Sequence, residues 1–139
     1  MTQPPNTIVA IHITFALLAV VIGPFAIWAR AGFVQRVRLH RACGYAWLTV
    51  MAGAATSALF IKGGTAPQLF AGFSVIHLLV PVTFAGMASG LYFMLTGQIK
   101  GHKRAMTMTY LGACVTAGVF TLLPNRYLGQ LLWGQLLGS

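Results

Sequence analysis

Four apolar stretches, each near the length a helix needs to cross a bilayer, alternate with short polar or glycine-rich breaks. They cover residues 7–29, 40–61, 68–95 and 104–123. About 20 consecutive apolar residues span the hydrocarbon core as a helix. Inside lipid, only a structure that satisfies its own backbone groups is viable. The pattern predicts an all-α membrane protein, with residues 1–139 forming one transmembrane domain. The breaks at 30–39, 62–67 and 96–103 suit antiparallel neighbours, so the expected architecture is a four-helix, up-down-up-down bundle. Pro124 ends the fourth helix, because proline cannot donate to the helical ladder. The tail at 125–138 carries Leu128, Leu131, Leu132, Trp133, Leu136 and Leu137. It is too short to cross again and is expected as a C-terminal interfacial helix with Trp133 at headgroup level.

Charge sharpens this reading. Only 6% of the residues are charged, against about 25% in soluble domains, which excludes an ordinary soluble fold. The chain contains no Asp and no Glu. That removes paired-carboxylate catalysis, Ser-His-Asp triads and calcium loops together. The nine Lys and Arg therefore need other anions, such as lipid headgroups or a cofactor's carboxylates. Nucleic acid is not an expected partner, because the apolar runs leave no soluble basic face. Arg30, Arg36, Arg38, Arg41, Lys100, Lys103 and Arg104 flank the first and third breaks, whereas Lys62 and Arg126 lie on the other side. The positive-inside rule places the richer side in the cytoplasm. The expected location is the inner (plasma) membrane, multi-pass, with both termini outside the cytoplasm. Cys43 and Cys114 share no metal-binding spacing and read as separate, small buried residues.

Each expected helix carries one histidine: His12, His40, His77 and His102. Ionisable residues within membrane spans are costly and mark function by default. His12 and His77 fall in the outer half of helices one and three. His40 and His102 open helices two and four at the cytoplasmic side. Helices one and three are diagonal in such a bundle, as are two and four. Two imidazoles facing each other across a core form the bis-imidazole arrangement that holds haem iron. The expected metal ligands are therefore His12 and His77 for an outer haem, and His40 and His102 for an inner one. Arg41, Lys103 and Arg104 stand beside the inner pair and are expected to meet haem propionates through charge-assisted bonds. They also serve as topology signals. Small residues at Ala16, Ala19, Gly23 and Ala26 would let a macrocycle or another helix approach. Pro81, four residues after His77, either permits a kink that aims the imidazole or is a tolerated membrane proline. Phe70, Phe73 and Phe84 would line a ring or meet lipid. The order helix, His, basic loop, His-basic recurs in the two halves, as in two hairpins related by an axis along the membrane normal.

His12 with Gly23-Pro24-Phe25, Leu39-His40-Arg41-Ala42-Cys43-Gly44, Gly101-His102-Lys103-Arg104-Ala105-Met106 and Asn125-Arg126-Tyr127 form an ordered set. By these stretches the chain resembles a family of small bacterial four-helix membrane proteins grouped as a domain of unknown function. That resemblance implies topology and little chemistry. In architecture the chain is also similar to the transmembrane di-haem cytochromes b, whose fold implies two b-type haems and electron transfer across the bilayer. The leading expectation is thus a small di-haem membrane cytochrome, on its own or as the membrane electron-transfer part of an oxidoreductase. Its partners would be membrane lipid and a quinol or redox protein, docking near Asn125, Arg126 and Tyr127 or near Arg36 and Arg38. A homo-oligomer stays open. Two alternatives stand beside it. One is a transition-metal binder or transporter, copper above all, using His, Met106, Met108 and Cys43. The other is a structural or assembly subunit without a cofactor.

Overall fold

The computed structural model describes residues 6–61, 68–70, 73–124 and 127–138. The chain is mostly helical. Helix α1 covers Thr7–Trp28 and α2 covers Val37–Ala58. A two-stranded antiparallel ribbon follows, β1 at Gln68–Phe70 and β2 at Phe73–Ser74. A 3-10 turn, Val75–Leu78, leads into α3 at Leu79–Leu95. The fourth helical segment runs without a break from α4, Ile99–Thr109, through a π-helical turn, Tyr110–Val115, to α5, Thr116–Thr121. Helix α6, Tyr127–Leu137, occupies the tail.

Local chemistry explains the ends. The Asn6 side chain accepts from the Ile8 N–H and caps α1. Gly32 and Gly97 hold positive φ, 51° and 73°, in the two connections 29–36 and 96–98. Gly97 follows α3 and completes a paired cap. Its N–H donates to Met94 and that of Gln98 donates to Phe93, so two carbonyls left over at the helix end are satisfied.

The helices close a ring of contacts: α1 on α2, α2 on α3, α3 on α4, and the π turn back on α1. Ala19, Trp47, Met51, Met87 and Cys114 form the buried centre, with Cys114 Sγ 3.7 Å from Met51 Sδ. Both cysteines are free thiols. The backbones approach through glycines. A β-carbon at Gly23 would run into the Tyr110 ring, one at Gly86 into Thr109, and one at Gly90 into Met106. The small-residue stripe on α1 therefore faces inward, with Ala19 and Gly23 buried. The outside is apolar: Leu17, Val21, Phe25, Tyr45, Val82, Tyr92, Val119 and others stand exposed. Among the described residues, α1 is the helix long and apolar enough by itself to cross a membrane, and α3 is a shorter apolar helix.

The helix limits differ from the expected spans in two instructive places. The third helix begins at Leu79, not near residue 68, because the preceding segment turns back as the β ribbon. Pro81 therefore lies in the first turn of α3, where its missing N–H costs nothing, and it makes no mid-helix kink. The fourth helical segment begins earlier, at Ile99, so Gly101, His102 and Lys103 are already helical. The tail forms a helix, as expected. Trp133 Nε1 donates to the Leu122 carbonyl at 3.0 Å, which folds α6 against the end of α5. Lys62, Asn125, Arg126 and the side chain of Tyr127 lie outside the described residues.

Candidate functional site

His40 and His102 are each the fourth residue of their helix, α2 and α4. Each backbone N–H closes the first turn, on Arg36 and Gln98 respectively, at 2.9 Å. Each imidazole then reaches across to the preceding helix. His40 Nδ1 is 2.7 Å from the Ala26 carbonyl, one of the last carbonyls of α1. His102 Nδ1 is 2.8 Å from the Gly90 carbonyl of α3. A carbonyl only accepts, so Nδ1 carries the hydrogen in both rings. Nε2 is left as the lone-pair nitrogen, with no hydrogen-bond partner among the described residues. This is the tautomer that binds metals, with the other ring nitrogen fixed by a carbonyl. The two hairpins thus repeat one device at the end carrying the first and third connections.

The two rings meet. Their centres are 6.3 Å apart and their planes cross at 85°. A metal ion sits about 2 Å from each imidazole nitrogen, and the ring centre lies about 1 Å behind it, so a shared ion needs centres about 6 Å apart. Both histidines line a cavity of about 410 Å³ that also touches Gly23, Ala26, Arg41, Gly44, Trp47, Leu91, Met94, Met106 and Tyr110. Its walls are mainly apolar. Two polar groups stand out. Arg41 lies beside His40, and Trp47, only 3% exposed, has a buried Nε1–H with no hydrogen-bond partner among the described residues. Such an orphaned donor is uncommon in a folded interior. It marks where an occupant with an acceptor would be held. Lys103 and Arg104 are exposed and do not line the cavity.

The donor set limits what fits. Among the described residues, no three His, Cys, Asp or Glu side chains gather into a group. Two imidazoles alone suit a metal that brings its remaining ligands with it. A metalloporphyrin would meet that condition, held by His40 and His102.

The opposite end is built differently. His12 Nδ1 is 2.9 Å from the Ala54 carbonyl and 3.1 Å from Ser57 Oγ, so its Nε2 is again the lone-pair nitrogen. It lines a second cavity, of about 330 Å³, on the far side of the buried centre. His77 does not line that cavity. Its Nδ1 accepts from the Ser74 N–H at 3.1 Å, and its Nε2–H donates to the Ile61 carbonyl at 3.0 Å. The Phe73 ring stands edge-on to it at 5.1 Å. Both nitrogens are engaged, and the tautomer is the reverse of the other three. His77 ties the end of α2 to the entrance of α3. The structure therefore brings His40 and His102 together but does not bring His12 and His77 together. Phe70 is exposed and Phe84 lies on the outer surface of α3.

Sequence reasoning missed Trp47, Tyr110, Ser57 and Thr83. One signal was available for Tyr110, because Pro24 deprives a specific carbonyl of its donor. The π turn that Tyr110 opens widens the helix between the two cavities, and such turns recur at functional sites.

A family model described as "Predicted membrane protein (DUF2306)" matches residues 9–130. The chain belongs to this family. The match takes in both cavities and all four histidines of this DUF2306 member, and it makes the protein a membrane protein with a lipid environment. No curated protein and no solved structure matches the chain.

Proposed function

We propose that the chain is a small multi-pass membrane cytochrome of the b type, holding one haem between His40 and His102. The observation that carries the reading is the adjacent pair itself: two imidazoles lining one cavity, their ring centres 6.3 Å apart, each with Nδ1 tied to a carbonyl and Nε2 available. When bound, haem supplies one-electron redox chemistry. The protein's part is to hold and tune. The Ala26 and Gly90 carbonyls fix the tautomer and angle of the two rings. Arg41 would neutralise a propionate. Trp47 Nε1 would give its hydrogen bond to the occupant, and the apolar wall would keep water from the site. The second haem expected between His12 and His77 is not carried into this reading, because both nitrogens of His77 already have partners.

In this reading four helical segments cross the inner (plasma) membrane. The exposed apolar surface supports that, since soluble monomers rarely expose contiguous apolar patches above a few hundred Å². Helix α3, with 17 residues, is about 26 Å long, close to the hydrocarbon thickness. The basic end, with the His40–His102 site, faces the cytoplasm and both termini face outward.

The test is an oxidised and dithionite-reduced visible spectrum of the full chain in detergent, with haem counted per chain. One low-spin b-type haem, lost in His40→Ala and in His102→Ala, is the expected result. A protein that stays colourless when expressed with excess haem overturns the reading. A second reading, a copper site, draws on Met94 and Met106, which line the same cavity as the histidine pair and supply thioethers suited to Cu(I). Copper at one ion per chain in a haem-free protein, lost in Met106→Leu, would favour it.

A further inference from the structure

The cavity on the His12 side has its own chemistry, which the haem reading does not use. It lies between α1, α2, α3 and α5, and Leu128 of α6 reaches its edge. Much of its wall is small: Ala16, Ala54, Ala55, Ala58, Ala113 and Ala117. Among the described residues, no charged side chain lines it. Four polar side chains do, and two are already committed: the Thr121 hydroxyl donates to the Ala117 carbonyl and the Cys114 thiol to Met51 Sδ. Two are left. One is His12, whose Nε2 can only accept, because Nδ1 holds the hydrogen against Ala54. The other is Thr83, which is 5% exposed and lines the cavity. Its hydroxyl makes no hydrogen bond among the described residues. Four other helical threonines differ in this. Thr14, Thr49, Thr109 and Thr121 each donate back to the carbonyl four residues earlier. The Thr83 hydroxyl is available to a ligand.

These features specify the ligand class. It is neutral, because among the described residues no countercharge lines the cavity. It is mainly apolar, as the wall is. It carries a hydroxyl that donates to His12 Nε2 and a second oxygen for the Thr83 hydroxyl. The volume of about 330 Å³ lies at the small end of ligand pockets, the size of one substituted ring. We propose that this cavity binds the headgroup of a lipid-soluble quinol, a dihydroxybenzene, with His12 and Thr83 as its two polar contacts. The inference concerns binding alone and does not require haem at the other cavity.

The test is calorimetric titration of the full chain in lipid nanodiscs with trimethylhydroquinone. Its dimethyl ether and a monohydroxy analogue, trimethylphenol, serve as comparisons. Saturable binding at one site is expected, weaker for both comparison compounds. Thr83→Val keeps the side-chain shape and should weaken quinol binding about tenfold or less, the scale of one hydrogen bond. Ala117→Leu adds bulk to the cavity wall and should abolish binding, while the circular dichroism of both variants stays that of the parent. The inference is overturned if the dimethyl ether or the monohydroxy probe binds as tightly as the quinol. It is also overturned if Thr83→Val leaves the affinity unchanged, if Ala117→Leu still binds, or if the parent chain shows no saturable binding. A colourless, haem-free protein that passes these tests would overturn the cytochrome reading and leave this one standing.

Discussion

The Tyr110 hydroxyl donates to the Val20 carbonyl at 3.1 Å, and Val20 is the residue whose helical donor Pro24 removes. Position 24 would normally donate to position 20, but proline has no N–H. A proline inside α1 thus leaves one carbonyl unpaired in a lipid-facing helix, and a phenol from the fourth helical segment completes it. The approach needs Gly23, because a β-carbon there would strike the Tyr110 ring. Gly23, Pro24 and Tyr110 act as one joint between the first and last long helical segments.

That joint predicts a specific pattern of stability. Tyr110→Phe leaves the Val20 carbonyl unsatisfied and should destabilise the protein by about 1–2 kcal/mol. Pro24→Ala restores the helical donor, so the same tyrosine substitution made on that background should cost less than half as much. Thermal unfolding in detergent, followed by circular dichroism for the four proteins of the cycle, measures the coupling. Equal costs on both backgrounds would show that the hydroxyl does not serve this carbonyl.

The two histidines of the basic end should behave as a pair in spectroscopy. His40→Gly and His102→Gly each open room for a free imidazole. Adding imidazole should restore the low-spin haem spectrum in either single variant and in neither Ala→bulky filling of the cavity, such as Ala26→Leu. A lasting haem spectrum in both glycine variants without added imidazole would remove these residues from the ligand set.

His77 should separate structure from cofactor. Removing its ring leaves the Ser74 N–H and the Ile61 carbonyl without their partner. His77→Ala should destabilise the ribbon end by about 1–3 kcal/mol and leave any haem spectrum intact. Faster proteolysis between residues 61 and 78, with unchanged haem per chain, is the expected pair of results. Loss of the haem in this variant would instead return His77 to the ligands.

Glycine packing on α3 gives a fourth expectation. Gly90 is buried against Met106, and an added methyl has no room until that side chain moves. Gly90→Ala should cost about 1–3 kcal/mol, the range for overpacking, and Met106→Ala should relieve part of it. Because His102 leans on the Gly90 carbonyl, the single variant should also lower haem content, which heat-independent pigment quantification would reveal. Full haem loading with unchanged stability would mean that α3 and α4 are not held at this spacing.

Apolar runs, the missing carboxylates and the basic asymmetry are properties of composition along the chain, and a bilayer responds to them directly. The helical class, the membrane environment and the inward stripe of Ala19 and Gly23 were legible for that reason. So was the pairing of His40 with His102, since each stands at the same register in the first turn of its helix, and equal register after two antiparallel hairpins means equal depth. The His12–His77 pairing rested on the start of the third helix. There the run from Gln68 to Leu78 is apolar enough to read as helix or strand, and periodicity does not separate them. Pro81 was the available sign of a first turn. Which nitrogen of each imidazole holds the hydrogen, which carbonyl Tyr110 completes, and the empty-handed hydroxyl of Thr83 depend on atoms far apart in the chain. Hydrogen bonds are short-ranged and directional, so only the packed arrangement of the helices decides them.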